Sequence, residues 1–148
     1  MTSQRGQVLV FVALVLPIVL LPAAAFAADA ASATAVQARL EQATWSAAES
    51  AVQQVDAVAL RAGRGVMLDQ RSAEVVARDA LAAEDPDATL ERLAVDGLYL
   101  MVEAEEALVL PLNFVGAPSV TLHAKATARL TLGYERPSSF LPFSVSTL

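Results

Sequence analysis

His123 is the only histidine in the chain, and cysteine is absent. A histidine-based triad or a zinc site would need a second imidazole or a thiolate that this sequence does not supply. His123 stands between Thr121 and Lys125 in an alternating stretch, which puts it on the wet face of a strand as an ordinary solvated imidazole. No serine sits in a Gly-x-Ser-x-Gly elbow, and no phosphate-cradling glycine loop follows a strand pattern. Glu105 and Glu106 are neighbours, so on a strand their carboxylates face opposite ways and cannot serve one site. Glu84-Asp85-Pro86-Asp87 is the candidate for cation binding, yet it lacks the glycine and distant glutamate of a calcium loop and reads as a solvated turn. The residues therefore predict no catalytic group, no cofactor, no metal and no small-molecule substrate. They do not read as an enzyme.

What such residues would be mounted on begins with an apolar run. Between Arg5 and Asp29 no residue is charged, and a helix of about 23 residues rises roughly 34 Å, enough to cross a hydrocarbon core of about 30 Å. A buried core helix is seldom so uniformly apolar for so long. Val8 to Ala28 is thus expected to lie in lipid. The short amino-terminal side with its single arginine is then cytoplasmic, and everything after Asp29 is extracytoplasmic. A cleaved secretory signal is the rival reading: Arg5 makes a charged n-region, Val8 to Leu21 an h-region, and Ala25-Phe26-Ala27 a small-x-small site. Cleavage between Ala27 and Ala28 would release a soluble exported binding or adhesion domain.

The run continues without glycine or proline from Ala23 to Gly63 in strongly helix-favouring residues. The spacing predicts one rod over Gln7 to Ala62, on the order of 80 Å long, ended by Gly63-Arg64-Gly65. Pro17 and Pro22 each remove a backbone donor, so a bend or loosened turn is expected between Leu16 and Pro22. Val36, Leu40, Ala43, Ala47, Ala51, Val55, Val58 and Ala62 make an apolar stripe that should carry a sheet. A thinner line, Ala38, Trp45, Val52 and Ala59, recurs every seven residues on the far side, where Trp45 either anchors a partner subunit packed along this line or is covered by a loop that folds back. Ser72 is the expected N-cap of a second helix with Ala73, Val76, Ala77, Ala80 and Leu81 on one face, stopping by Pro86.

From Ala88 the period changes to two. Leu90 to Val95 is ambiguous; Asp96-Gly97 is a hairpin signal; Leu98, Leu100, Val102 and Ala104 then alternate with polar or mixed neighbours. Leu108 to Phe114 is broken by Pro111, which confines it to an edge or a bend. After Gly116-Ala117-Pro118, Val120, Leu122, Ala124, Ala126, Ala128, Leu130 and Leu132 point inward on a strand. The expected organisation is a leader or cytoplasmic tag over 1–6, a membrane segment over 7–28, a helical stem over 29–64, a headpiece of short helix and antiparallel sheet over 65–135, and a tail over 136–148. The class is α+β, pilin-like, a long amino-terminal helix packed on a small antiparallel sheet. With 148 residues, 55% hydrophobic, about 120 remain beyond the membrane, enough for one small domain. A net charge of −6 without a basic run argues against nucleic acid as a partner.

Arg5-Gly6-Gln7-Val8-Leu9-Val10-Phe11-Val12-Ala13-Leu14-Val15-Leu16-Pro17 resembles the amino-terminal segment of the TadE/TadG-like pseudopilins of tight-adherence (Tad, or Flp) pilus assembly. Asp29 resembles the acidic residue that many TadG-like members place at the close of the run, and the alternating strand near the carboxyl end also suits the family. The resemblance implies cutting by a prepilin peptidase between Gly6 and Gln7. It also implies other pilin-like or pilus-assembly subunits as partners. Many such proteins carry a glutamate at the fifth position after the cut, where this chain has Phe11. Pairing of that carboxylate with a neighbour's terminal amine is therefore missing, which points to a minor or assembly component instead of a major filament subunit.

Overall fold

The computed structural model describes residues 3–110, 112 and 119–131, the first six of these by backbone alone. Helix α1 spans Ser3–Ala51 and is about 74 Å long at 1.5 Å per residue. Pro17 and Pro22 lie inside it, and helical geometry continues through both. Two short segments follow, α2 at Ala57–Arg61 and α3 at Gln70–Glu84. Strands β1 (Thr89–Asp96), β2 (Tyr99–Val109) and β3 (Ser119–Arg129) form one antiparallel sheet in the order β1-β2-β3. The arrangement is α+β and pilin-like, with the long helix laid on a small sheet. The expected bend at Pro111, the turn at Gly116-Ala117-Pro118, the inward Leu132 and the tail over 136–148 lie outside the described residues.

Alanines let α1 and the sheet come close. Leu40, Ala43, Ala47, Ala48 and Ala51 of the helix are buried, together with Leu100, Val102 and Ala104 of β2 and Ala124, Ala126 and Ala128 of β3. Opposite residues in the ladder pair large with small: Leu100 with Ala128, Val102 with Ala126. This complementarity fills the layer without a gap, as close packing demands. Helix α3 buries Ala73, Ala77 and Leu81 and packs against α1 and β1. The opposite face of the sheet is wet and carries polar pairs, Glu103 with Lys125 at 3.0 Å and Arg129 over the Tyr99 ring at 5.6 Å.

Three local expectations are corrected. The stem helix stops at Ala51, not Ala62, because residues 54–56 leave the helix to bond the segment before α3: Asp56 N–H donates to the Met67 carbonyl at 2.8 Å and Asp69 N–H to the Gln54 carbonyl at 2.9 Å. Asp56 then caps α2 by accepting from Val58 and Ala59 N–H, a use of aspartate that competes with helix interiors. The glycines do end a helix, but it is α2. Gly63 N–H bonds Leu60 and Arg64 N–H bonds Ala59, a Schellman pattern with Gly63 at φ +73°. The N-cap of α3 is Asp69, three residues before the expected Ser72. Its Oδ1 accepts from Arg71 and Ser72 N–H, and the Ser72 hydroxyl donates to its Oδ2 at 2.8 Å. That hydroxyl bond, with the Ser72 N–H bond next, holds the Asp69 carboxyl below the usual range.

The ambiguity of Leu90 to Val95 also has a cause. The register slips between Leu90 and Arg92, leaving Glu91 as an extra residue, and such a bulge destroys the two-residue period on which strand recognition rests. Leu90, Leu93 and Val95 all pack on the core as a result.

The two faces of β2 should respond differently to truncation. Leu100→Ala, at a fully buried position, is expected to cost about 2–5 kcal/mol. Tyr99→Ala on the wet face should lower the denaturation midpoint far less, and equal losses from the two would contradict the facing assigned here.

Candidate functional site

The stretch of α1 from Leu9 to Leu21 is apolar on every side and exposes its large side chains among the described residues. Their exposure runs from 38% at Val15 up to 74% at Leu9. A helix of this kind is compatible with a single-pass membrane anchor. The bond between Gly6 and Gln7 falls in the first turns of α1, where the backbone alone is described. Ala27 and Ala28 are exposed and helical, in the middle of the rod. Immediately beyond them the headpiece begins. Asp29 is 2% exposed, and its Oδ1 accepts the Leu112 N–H at 3.0 Å. The residue that closes the apolar run is therefore built into the headpiece and is not a solvated charge.

Of the four expected packing residues, Ala38 and Trp45 are exposed, whereas Val52 and Ala59 are buried. The correction follows from the helix end. Past Ala51 the chain turns, and a seven-residue spacing no longer keeps one face. Trp45 stands in the seam between α1 and β3. One cleft of about 560 Å³ joins it to Glu49, Val52, Gln53 and Thr127 to Thr131. A second, of about 410 Å³, joins it to Ala38, Glu41, Gln42 and His123 to Ala126.

The least expected group is an ionic triad at the other seam. Arg39 Nε donates to Asp85 Oδ2 and its Nη2 to Glu106 Oε1, each at 3.0 Å. Asp85 is fully buried and Glu106 5% exposed, so the expected solvated turn is wrong at Asp85. Three elements meet here. Arg39 comes from α1, Asp85 caps the carboxyl end of α3, and Glu106 continues the inward parity of Leu100, Val102 and Ala104 on β2. That parity was the available signal, because a carboxylate in an apolar register demands a partner. Glu105 does face the other way, as expected. It joins Glu91 and His123 on the wet face, with His123 Nδ1 3.5 Å from Glu91 Oε2. Within each of two groups, Glu91, Glu105 and His123, and Asp85, Asp87 and Glu106, ligand atoms lie within 4.8 Å of one another. Either set has the donors to hold a metal ion.

One oxygen of each buried acid, Asp85 Oδ1 and Glu106 Oε2, has no hydrogen-bond donor among the described residues. Burial, and then the neighbouring Asp85 charge, push the Glu106 carboxyl above its usual range against the opposing pull of Arg39. The guanidinium itself is held more firmly protonated by its bond to Asp85. Comparison with protein-family models, curated proteins and solved structures finds no match to this chain.

Two measurements follow from this geometry. In chelator-containing buffer the folded chain holds the Glu106 proton more tightly than the unfolded chain does. That contribution is complete below the ordinary carboxylate value and is lost as pH rises through the raised one. Stability measured by urea unfolding should therefore fall along that limb, with Arg39, Asp85 and Asp87 as the charged neighbours, and Glu106→Gln should flatten it. As for Trp45, it is the only tryptophan and 47% exposed. Its fluorescence should be readily quenched by acrylamide, and Trp45→Ala should leave the melting temperature nearly unchanged, while a blue-shifted, unquenched emission would place it in the core.

Proposed function

We propose that this chain is a membrane-anchored, pseudopilin-like structural subunit or assembly factor of a Tad/Flp-type pilus. It sits in the inner membrane with its amino terminus cytoplasmic and its headpiece extracytoplasmic. The observation that carries the reading is one helix, Ser3–Ala51, whose large apolar side chains from Leu9 to Leu21 are exposed and whose upper part, from Leu40 to Ala51, joins the headpiece core. Such a rod has two solvents, lipid for the first half and protein for the second. The resemblance of Arg5 to Pro17 to tight-adherence pseudopilins supplies the pilus, and Phe11 in place of the usual glutamate favours a minor or assembly role. The role is structural, and its partners are other pilin-like subunits or assembly proteins. Ala38 and Trp45, with the two clefts beside Trp45, offer the contact surface, since a half-exposed tryptophan is a favoured interface anchor.

The competing reading, an exported domain freed by signal peptidase, rests on Ala25-Phe26-Ala27. Cutting there would leave Asp29 as the second residue of the product and put its bond to Leu112 on a frayed helix end, where first-turn order is weakest. Mass spectrometry of the amino terminus of the purified protein separates the two. A chain beginning at Gln7 or Met1 is expected, and one beginning at Ala28 would remove the anchor and the pilus role with it.

A further inference from the structure

The triad beside α3 is incomplete as it stands. Asp85 and Glu106 bring two buried carboxylates together, and Asp87, two residues along the same turn, brings a third whose side chain is exposed. Arg39 is bonded to the first two, through Asp85 Oδ2 and Glu106 Oε1. The other two oxygens, Asp85 Oδ1 and Glu106 Oε2, are buried acceptors without a donor among the described residues. A buried unpaired acceptor is unfavourable by itself, and one on each of two neighbouring acids is worse. The fold adds to the problem, because Asp85 caps the carboxyl end of α3, where the helix dipole is negative and a carboxylate is misplaced. Everything around these oxygens calls for positive charge.

We infer that Asp85, Asp87 and Glu106 form a calcium site. The charges close: three carboxylates balance the Arg39 guanidinium and one divalent ion. The donors are all hard oxygens, which select calcium or magnesium over zinc or copper. Their ligand atoms lie within 4.8 Å of one another. Calcium, with bonds of about 2.3–2.6 Å, bridges that whole range, whereas magnesium, at about 2.0–2.1 Å in strict octahedral geometry, bridges only the shorter part of it. Asp87 and Pro86 are exposed, so water can complete the coordination and the ion has a way in. The bound ion would lock α3, β2 and α1 to one another at the point where their charges meet. It would stabilise the headpiece by mass action, since the unfolded chain does not assemble the three ligands. This inference is independent of where the amino terminus is processed.

The test uses the full chain in detergent micelles, stripped with a chelator and then titrated with calcium chloride. Calorimetry should find one ion per chain, and the melting temperature should rise with calcium and fall back on chelation. Asp87→Asn, at an exposed position, should fold as the parent does yet bind calcium at least about tenfold more weakly, because affinity follows the count of charged ligands. Glu106→Gln, whose amide can donate to Asp85 Oδ1, should be at least as stable as the parent in chelator and lose the calcium response. The inference is overturned if millimolar calcium gives neither heat nor a thermal shift, or if both variants respond as the parent does. In either case a shared proton alone occupies the space between the acids. An equal or greater response to magnesium would overturn the choice of ion.

Discussion

The alanine face of α1 sets the terms for everything packed on it. Ala43, Ala47, Ala48 and Ala51 are fully buried, and side chains this small bring the helix backbone down close to β3, whose own inward residues are Ala124, Ala126 and Ala128. Close approach on that side requires bulk elsewhere to fill the layer. Leu100 and Val102 of the central strand, Leu81 of α3 and Leu40 of α1 supply it. A larger residue at Ala47 would lift the helix and open the layer at all of these positions at once, since interiors transmit strain instead of absorbing it. The same residues that permit this approach also favour the helix over its whole length, so propensity and packing agree. Nothing in the stem opposes continuing the membrane-length run upward.

Electrostatics in the headpiece is arranged the other way, as a conflict held in place by packing. Glu106 stands in the register of an apolar strand and Asp85 at the negative end of a helix, each a location that disfavours a carboxylate. Arg39 resolves half of the conflict. Its side chain is 48% exposed, so its charge stays hydrated while its fork reaches the buried oxygens, a division that arginine's length and planarity allow. Replacing all three by apolar residues could match the stability of the triad, as buried ion groups rarely outperform packed hydrocarbon. What the charges add is register: one guanidinium bonded to two acids from different elements fixes how far α3 slides along α1 and which residue of β2 faces them.

Much of this was legible in the residues. Strand β3 and the hairpin at Asp96-Gly97 followed from alternation and from a glycine that takes φ +60°. Helix α3 followed from its three- and four-residue spacing, and so did the buried part of the stripe, Leu40 to Ala51, whereas Val58 and Ala62 beyond the helix end are exposed. The failures share a physical origin. Residues 54–56 leave α1 to pair with residues 67–69, a tertiary competition that helix propensity cannot register. Asp69 caps α3 in place of Ser72; both are good acceptors, and only the backbone decides which one stands at the boundary. Glu91 in a bulge hid a strand. The triad was partly legible: parity turned Glu106 inward, but its partners come from about 67 and 21 positions away in the chain, and charge complementarity over such distances has no period to read.

Polar ties hold the headpiece to the rod at more than one height, Gln37 to the His123 carbonyl among them, and their spacing matters more than the strength of any one. Asp29 bonds Leu112 near the foot of the headpiece, and Arg39 bonds Asp85 and Glu106 ten residues higher, about 15 Å along the axis. One tie would leave the sheet free to swing about the helix; two at different heights, with an alanine-lined seam above, define both its tilt and its rotation. Because α1 carries no joint between Asp29 and the apolar segment below it, a rotation of the lower helix must carry the clefts beside Trp45 with it. Those clefts and the faces of the apolar segment are thereby fixed relative to one another by covalent geometry.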